Sequence, residues 1–248
     1  MRIINVEKIS FTFSGSAAKT IGNISFAAEK GEFVCIMGQS GCGKSTLLRI
    51  IAGLIRPSSG RVLYRGREIK GPTVGMSFVF QDFALLPWLT NLDNVKLGLS
   101  LLDISEQEKT ERAMELMDRF GLNGFENYYP NVLSGGMKQR IGIARALASE
   151  PQVLLMDEPF SSLDKITADA MRSDIAYMLE NKDIPVNSVI MVTHNVEEAV
   201  ELADKIIVLS AKPSTVKKTI LVKIPKPRNK RSKDFQDIVD EIYATLAE

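Results

Sequence analysis

Residues 33–45 read FVCIMGQSGCGKS, an apolar run that leads into a glycine-rich loop, and this stretch decides the fold. The apolar run is typical of a short strand that is buried on both faces. The loop fits the pattern G-x-x-x-x-G-K-S, in which glycines let successive backbone N–H groups curl around phosphate oxygens. A helix is predicted from residue 44 to about residue 55. The loop therefore has a strand before it and a helix after it, as a phosphate-binding loop requires.

The residues of this loop have distinct expected roles around a bound nucleotide. Lys44 is expected to reach the β- and γ-phosphates, Ser45 to ligate Mg²⁺, and Thr46 to contact the α-phosphate. The remaining positions that face the phosphates are Gly38, Ser40, Gly41, Cys42 and Gly43. The competing interpretation is a glycine turn that only caps a structural helix.

Two carboxylates follow a second apolar strand, which is predicted at residues 153–156. Because adjacent strand residues point to opposite sides, Asp157 and Glu158 are expected to differ in role. Asp157 fits a Mg²⁺ ligand, and Glu158 fits the group that polarises an attacking water. An acidic pair after a strand is otherwise typical of a helix cap, but the phosphate loop in the same chain favours catalysis.

Polar residues also follow two further predicted strands. His194, the single histidine of the chain, ends a strand at residues 188–193 and opens a helix. Ligands of open α/β sheets bind at the carboxyl ends of strands, so His194 is a candidate for a hydrogen bond to the γ-phosphate, with a structural histidine as the alternative. Gln81 follows a strand predicted within residues 73–80, and it either holds water and Mg²⁺ or caps a turn.

Residues 133–140 read LSGGMKQR, a Ser-Gly-Gly turn at the start of a predicted helix. Backbone N–H groups and a hydroxyl at a helix N-terminus form a ready anion site. This turn lies far along the chain from the phosphate loop. One polypeptide therefore carries two half-sites for a nucleotide phosphate, which predicts a dimer.

The periodicity of the whole chain indicates a β/α nucleotide core that is interrupted by a helical insert. Ser105 followed by Glu108 resembles a capping box at one of the helix starts. Strands are predicted at 2–12, 21–37, 61–64, 73–80, 153–156, 188–192 and 205–209, and helices at 44–55, 91–101, 105–120, 136–149, 163–181 and 195–204.

Taken in order along the chain, these motifs resemble the ATP-binding subunits of ABC transporters over about residues 3–222. The resemblance implies an α/β fold with a P-loop NTPase (RecA-like) core, an N-terminal antiparallel β-subdomain and an inserted α-helical subdomain. The implied nucleotide-binding domain spans 1–222, with the core at 1–84 and 151–222, the helical subdomain at 85–150, and a basic linker with a C-terminal helix at 223–248. Met137 stands where the family more often has Gln, a change that should be tolerated.

The resemblance also implies a head-to-tail homodimer in the ATP-bound state. ATP on the phosphate loop of one subunit would be closed over by the other subunit's signature turn, with Asp164 at the interface. The residues of that turn are Ser134, Gly135 and Gly136. Adenine would stack on an aromatic ring near the N-terminus, for which Phe13 is the better match and Phe11 the alternative. Strand alternation puts both rings on one face and does not choose between them.

The segment after Gln81 points to a membrane partner. Residues 82–89 read DFALLPWL, a strongly apolar run that holds the single tryptophan, Trp88. In the family this region contacts a cytoplasmic helix of the transmembrane permease subunit, whereas packing inside the protein is the alternative. The sequence ALLPW most closely resembles the corresponding sequence of the nitrate, sulfonate and taurine importers. That group includes transporters of thiamine-precursor pyrimidines.

The implied function is therefore that of an importer's ATPase at the cytoplasmic face of the cell membrane, with ATP and Mg²⁺ as cofactors. An extracytoplasmic substrate-binding protein would be an indirect partner. The alternatives are an exporter motor, a soluble ABC ATPase in translation or DNA repair, and an unrelated phosphate-loop kinase.

Composition is in keeping with a soluble enzyme domain. The 248 residues are 45% hydrophobic and 25% charged, with a net charge of +1, which does not favour a nucleic-acid partner. No apolar run reaches the roughly 18–20 residues that a membrane helix needs. Cys35 and Cys42 are expected to be reduced thiols. Residues 223–233 hold six Lys or Arg and no acid, and are read as a linker to a helix docked on the core, with contact to lipid headgroups or a partner as the alternative.

Overall fold

The chain divides into two structural units, each of which is described by itself. The structure is a computed structural model that describes residues 1–180 and 186–247, with the side chains of 178–180 left aside. The first unit comprises Met1–Thr73 and Asn187–Glu248, and the second comprises Val74–Val186. The domain boundaries predicted at residues 84, 150 and 222 remain predictions.

Ten strands and seven helices are described within these ranges, together with short 3₁₀ turns. The strands are β1 (Arg2–Phe11), β2 (Ile21–Glu29), β3 (Phe33–Met37), β4 (Ser59–Tyr64), β5 (Arg67–Glu68), β6 (Met76–Val79), β7 (Val153–Asp157), β8 (Ser188–Val192), β9 (Lys205–Leu209) and β10 (Val216–Leu221). The helices are α1 (Lys44–Ile51), α2 (Asn91–Lys96), α3 (Glu106–Arg119), α4 (Gly135–Ala148), α5 (Lys165–Glu180), α6 (Val196–Leu202) and α7 (Lys233–Ala247).

The first unit contains an antiparallel sheet in the order β2-β1-β4-β5, which confirms the predicted N-terminal β-subdomain. It also contains the run β10-β9-β3-β8, in which β3 lies between β8 and β9 and is parallel to both. All five residues of β3 are buried, as its unbroken apolar run predicts. Strand β3 therefore delivers the phosphate loop from the middle of a covered parallel sheet.

Helix α1 is shorter than predicted. It ends at Ile51 instead of near residue 55, because Ala52 caps it and Gly53 turns into the left-handed region with a φ of +74°. The apolar pattern continues past this point, so periodicity alone overran the true end. The strand predicted across residues 21–37 is two strands, β2 and β3, separated by a turn at Gly31.

The second unit holds the parallel pair β6 and β7 and the predicted helical insert. The helix expected at 91–101 ends at Lys96 and continues only as a 3₁₀ turn, Leu97–Leu99. There Gly98 lies so close to the carbonyl of Arg145 in α4 that no side chain would fit. Helix α3 begins as predicted, with the Ser105 hydroxyl accepting a hydrogen bond from the Glu108 N–H at 3.1 Å.

The basic segment after residue 222 is folded onto the first unit. The Arg228 side chain is only 1% exposed, and its guanidinium donates to the carbonyls of Val200 at 2.7 Å and Ala203 at 2.6 Å, where α6 ends. Lys226 Nζ lies 2.9 Å from Asp204 Oδ1. This geometry favours the docked linker over the lipid-headgroup alternative.

Helix α7 packs against the rest of the same unit through one mostly apolar stripe, as expected of a helix docked on the core. The buried side chains of the stripe are Phe235, Val239, Ile242 and Thr245. The neighbouring edge strand β10 was not predicted, because consecutive lysines at 217 and 218 interrupt its apolar pattern. Residue 181 of the predicted helix 163–181 and residue 248 of the predicted C-terminal segment lie outside the described residues.

Within residues 1–180 and 186–247, no helix combines the length and the apolar character that crossing a bilayer demands.

We predict that Arg228→Ala lowers the free energy of unfolding by about 2–4 kcal/mol, because it removes a buried charged donor from several backbone carbonyls at once. Urea unfolding followed by circular dichroism measures the change. Arg231→Ala is the matched control, since Arg231 is exposed in the same segment and its removal should cost less than about 0.5 kcal/mol. Equal losses in the two variants would contradict the capping role of Arg228.

Candidate nucleotide site

The phosphate loop adopts a conformation that only glycine accepts easily. Gly43, the residue before α1, has a φ of +107°, and a Cβ there would lie 3.0 Å from Thr20 Cγ2. At Gly38 a Cβ would lie 2.9 Å from Cys42 Sγ. Gly43 is therefore favoured by backbone shape and by close packing, and Gly38 by close packing alone. Helix α1 follows directly, so its N-terminal N–H groups face the same loop.

Lys44 is folded back into the loop. It is 5% exposed, and its ammonium donates to the carbonyls of Gly38 at 2.9 Å and Gln39 at 3.2 Å. A buried ammonium needs such acceptors, and phosphate oxygens can replace them. Cys35 and Cys42 are buried free thiols, as predicted, and burial raises the pKa of both.

The exposure of two N-terminal aromatic rings distinguishes them where strand parity did not. Strand β1 ends at Phe11, so Phe13 lies beyond the strand. Phe13 is 47% exposed, whereas Phe11 is half-buried, and the rings meet edge to face with centroids 4.9 Å apart. Phe13 is therefore the ring with a surface available for stacking.

His194 is exposed after strand β8, but it does not open the following helix. Strand β8 ends at Val192, and Asn195 is the N-cap of α6, with its side chain accepting from the Glu198 N–H at 3.2 Å. His194 therefore lies in a three-residue connection, Thr193–Asn195, between a buried strand and a capped helix. The expectation that it begins the helix was wrong, because the amide of Asn195 is the better cap.

The acidic pair lies in the second unit and differs from the prediction in one respect. Asp157 is the last residue of β7 and is 1% exposed. Glu158 lies outside the strand with a φ of +46°, so strand alternation does not apply to it. A left-handed glutamate is uncommon, and such backbone conformations concentrate at functional sites. The two carboxylates still differ in environment, since Glu158 is half-buried.

Gln81 and Glu158 are linked through one serine. Strands β6 and β7 are parallel neighbours, so the residues that follow them leave the same edge. Gln81 Nε2 lies 3.5 Å from Ser161 Oγ, and that hydroxyl donates to the Glu158 carbonyl at 3.0 Å. The structure thus brings Gln81 to the segment that follows Asp157.

The signature turn begins α4 as predicted. Ser134 is the N-cap, and its hydroxyl accepts from the Met137 N–H at 3.2 Å. A Cβ at Gly136 would lie 2.5 Å from Thr167 Cγ2, so the turn packs directly on the first turn of α5. Ser134 and Gly135 are exposed at the end of the helix.

Asp164 closes the start of α5. Its carboxylate accepts from the hydroxyl of Thr167 at 2.6 Å and from the Thr167 N–H at 3.0 Å. These two bonds lower the pKa of Asp164, so the side chain stays ionised to lower pH than an ordinary aspartate. Asp164 is exposed beside the signature turn, within reach of an external surface.

Side chains of the second unit hold the backbone of residues 82–89, and the side chain of Trp88 in this segment is exposed. Arg145 in α4 donates to the carbonyls of Phe83 at 2.7 Å and Ala84 at 2.6 Å, and burial lowers its pKa. Asn94 binds the backbone of the same segment, accepting from the Leu86 N–H at 2.8 Å. Trp88 is 70% exposed, which excludes internal packing within the described residues as its role.

Several residues around the candidate site were not found from the sequence. Asn195-x-x-Glu198 is a capping-box spacing and was a usable signal. Arg145 and Thr167 carry no motif of their own, because their roles depend on contacts with residues distant in the chain. The roles of Arg145 and Thr167 are visible only in the structure, from the groups that these residues contact.

Comparison with known proteins places these elements in a family. Residues 21–161 match the family described as ABC transporter. An uncharacterised ABC transporter ATP-binding protein from Methanocaldococcus jannaschii is 42% identical over 246 residues, covering 99% of this chain and 91% of the relative. A nitrate import ATP-binding protein from Synechocystis sp. is 41% identical over 254 residues, covering 98% and 94%. An aliphatic sulfonates import ATP-binding protein from Bacillus cereus is 41% identical over 237 residues, covering 95% and 92%.

Solved structures agree with the sequence relatives. The dimeric structure of a post-hydrolysis state of an ATP-binding cassette bound to ADP and phosphate has a TM-score of 0.78 at 31% identity, covering 90% of this chain and all of that one. The dimeric structure of a bacterial ABC transporter cassette has a TM-score of 0.79 at 32% identity with the same coverage. The predicted P-loop NTPase fold is confirmed.

We predict that Gly136→Ala destabilises the chain by about 1–3 kcal/mol, because the new methyl group overlaps Thr167 Cγ2 and forces Thr167 away from Asp164. Gly135→Ala is the control, since a Cβ there has no neighbour closer than 3.8 Å. Adding Thr167→Ser to Gly136→Ala should restore stability, because serine lacks Cγ2 and keeps the hydroxyl. Urea unfolding tests the series. Failure of Thr167→Ser to rescue Gly136→Ala would show that the overlap is not the cause.

Proposed function

The chain belongs to the ABC transporter family, and on that premise we propose that it is the ATP-hydrolysing motor subunit of an importer for a small solute. The observation that carries the proposal is that one chain holds two turns suited to binding an anion, the phosphate loop before α1 and the signature turn before α4. The nitrate and sulfonate import relatives support a cargo of nitrate, sulfonate or taurine type. A thiamine-precursor pyrimidine is the alternative cargo, and export the alternative direction.

The first unit would hold the nucleotide. The N–H groups of the loop would surround the phosphates, and Lys44 would exchange the carbonyls of Gly38 and Gln39 for β- and γ-phosphate oxygens. Thr46, early in α1, would contact the α-phosphate. The exposed face of Phe13 would stack on adenine.

The donor chemistry of the proposed metal ligands fits Mg²⁺. The hydroxyl of Ser45, the carboxylate of Asp157 and the amide of Gln81 all offer hard oxygen atoms, which Mg²⁺ prefers in combination with substrate phosphates. Mg²⁺ bound there would supply positive charge that neutralises the phosphate oxygens. Asp157 is almost fully buried, so its carboxylate has a fixed position from which to act.

Hydrolysis would transfer the γ-phosphoryl group of ATP to water and release ADP and phosphate. Glu158 would accept a hydrogen bond from the attacking water and orient it, and its left-handed backbone sets the direction of the carboxylate. His194 would donate a hydrogen bond to the γ-phosphate and stabilise the charge that develops on it. Gln81 would hold the water from the side of β6.

ATP would bind two copies of the chain head to tail. The triphosphate on one phosphate loop would accept hydrogen bonds from Ser134, Gly135 and Gly136 of the second copy, while Asp164 lies at the interface. The dimeric form of both similar cassettes supports this arrangement. Loss of the γ-phosphate removes the charge that links the copies, so hydrolysis would open the dimer.

Residues 82–89 would meet a transmembrane permease subunit at the cytoplasmic face of the membrane. Trp88 is the exposed aromatic of this segment, and Arg145 and Asn94 hold the backbone beneath it in place. An exposed tryptophan on a fixed support suits the role of an anchor. An extracytoplasmic substrate-binding protein would deliver the solute to that permease.

We predict that Glu158→Gln reduces the rate of ATP hydrolysis by about 10²–10⁴-fold while ATP binding persists, because the amide cannot accept the water's proton. The variant should elute as a dimer in size-exclusion chromatography with ATP and as a monomer without it. Glu111→Gln, an exposed glutamate of α3, should hydrolyse ATP at the normal rate. Normal steady-state hydrolysis by Glu158→Gln would contradict the proposed role of Glu158 in orienting the attacking water.

We predict that Trp88→Ala weakens capture of the permease by roughly 30-fold, the effect of losing an interface anchor worth about 2 kcal/mol. The measurement is co-purification of an integral membrane protein from detergent-solubilised membranes, quantified by mass spectrometry. Tyr243→Ala removes a comparably exposed aromatic from α7 and should leave capture unchanged. Nucleotide binding should be normal in both variants, and undiminished capture by Trp88→Ala would count against this contact surface.

A further inference from the structure

We propose that Glu198 is a positioning residue that fixes His194 for its contact with the γ-phosphate. The inference rests on the proposed role of His194 and extends it to a residue that is not expected to touch ATP. Its basis is a set of hydrogen bonds that joins the residues on both sides of His194 to one buried carboxylate.

The contacts form a closed ring around the backbone of His194. Glu198 Oε2 accepts from the Thr193 hydroxyl at 2.7 Å, and Glu198 Oε1 lies 3.4 Å from Asn195 Nδ2. The Thr193 hydroxyl oxygen in turn accepts from the Asn195 N–H at 3.0 Å. Asn195 Oδ1 accepts from the Glu198 N–H at 3.2 Å. The residue before His194 and the residue after it are thus bound to each other and to Glu198.

This ring is anchored to the strand that delivers the phosphate loop. The Thr193 N–H donates to the carbonyl of Ile36 in β3 at 3.3 Å, and Ile36 precedes Gly38 by two positions. Thr193 is 2% exposed and Glu198 is 6% exposed. The residues that flank His194 are therefore buried and hydrogen-bonded to β3, the strand that leads into the phosphate loop that His194 is proposed to face.

A plain helix cap does not need a buried carboxylate. At the start of α3, Ser105 accepts from the Glu108 N–H at 3.1 Å, but the Glu108 side chain is 43% exposed and pairs with Arg112. At α6 the corresponding glutamate is turned inward and reaches past the cap to Thr193. Burying a carboxylate is costly unless every oxygen is bound. In return, the hydrogen bonds of Glu198 hold the backbone at His194 in one conformation, while His194 itself is exposed.

The test uses the fact that the chain has one histidine and therefore gives one imidazole signal in NMR with isotope-labelled histidine. Thr193→Val removes the hydroxyl from the ring and keeps the shape of the side chain, whereas Thr193→Ser keeps the hydroxyl. We expect Thr193→Val to lower kcat for ATP by about tenfold with little change in KM, as for loss of a contact made in the transition state. Thr193→Ser should retain most of the rate.

The imidazole signal separates positioning from general destabilisation. The measurement uses the Glu158→Gln variant, which prevents turnover, and there the signal should shift on addition of ATP. In Thr193→Val that shift should shrink and the signal should broaden, because the ring samples several orientations. Thr219→Val on the exposed edge strand β10 is the control and should change neither the rate nor the signal. An unchanged ATP-induced shift in Thr193→Val would overturn the proposal.

A double-mutant comparison gives a second, independent outcome. In a His194→Ala background, Thr193→Val should cause no further loss of kcat, because the residue it positions is already absent. An equal tenfold loss in both backgrounds would overturn the proposal. Glu198→Gln provides a variant that preserves side-chain shape. It should give an intermediate loss of about threefold, since its amide can still accept from Thr193 but cannot accept from Asn195 as well.

Failure of the proposed function would look different from failure of this inference. If His194→Ala hydrolyses ATP at the wild-type rate, the role of His194 is wrong and the ring positions nothing of catalytic use. If His194→Ala is impaired but Thr193→Val and Glu198→Gln behave like the wild type, the role of His194 stands and the positioning role of Glu198 falls. Circular dichroism and the ATP-dependent dimer confirm that each variant is folded.

Discussion

The structure depends on one constraint: the first backbone N–H groups of a helix have no acceptor inside that helix. Most of the described helix starts answer it with a side chain of their own. The acceptors include Ser105 at α3, Ser134 at α4, Asp164 at α5 and Asn195 at α6. Helix α1 begins after Gly43, which brings no side-chain acceptor at all. The N-terminal donors of α1 are therefore the ones that an external phosphate satisfies best.

The chemistry of each cap decides which helix starts can receive an anion. Asp164 stays ionised because Thr167 binds its carboxylate, so its negative charge repels phosphate from the start of α5. The start of α6 is occupied by the amide of Asn195 and the buried carboxylate of Glu198. At α4 the cap is a neutral hydroxyl followed by two glycines. The first turns of α1 and α4 carry no acidic residue, whereas those of α2, α3 and α7 do. The starts of α1 and α4 are therefore well suited to a phosphate.

The sequence predicted those features that depend on local pattern. Strand β9 was predicted with its true ends and strand β8 to within one residue, and the capped start of α4 was predicted from three residues. Features that depend on distant contacts were missed. Helix α1 ends before Gly53, earlier than its apolar pattern indicates. Glu158 follows its strand in a left-handed conformation, and the side chain of Arg228 in the basic linker is buried. None of these has a periodic signal, because each depends on a turn or on a contact with another element and not on the spacing of apolar residues.

The strained backbone at Phe83 and Ala84 in the second unit persists because helix α4 supports it. Phe83 and Ala84 both have positive φ, which side chains other than glycine rarely adopt. Arg145 binds both of their carbonyls from α4, and its guanidinium gives up hydration to do so. Charge-assisted bonds of this kind help to offset a strain of order 1–3 kcal/mol per residue. Since Ser134 caps the start of α4, this helix carries the turn proposed to meet the nucleotide and also holds the segment proposed to meet the permease. A shift of that helix on ATP binding would have to move both.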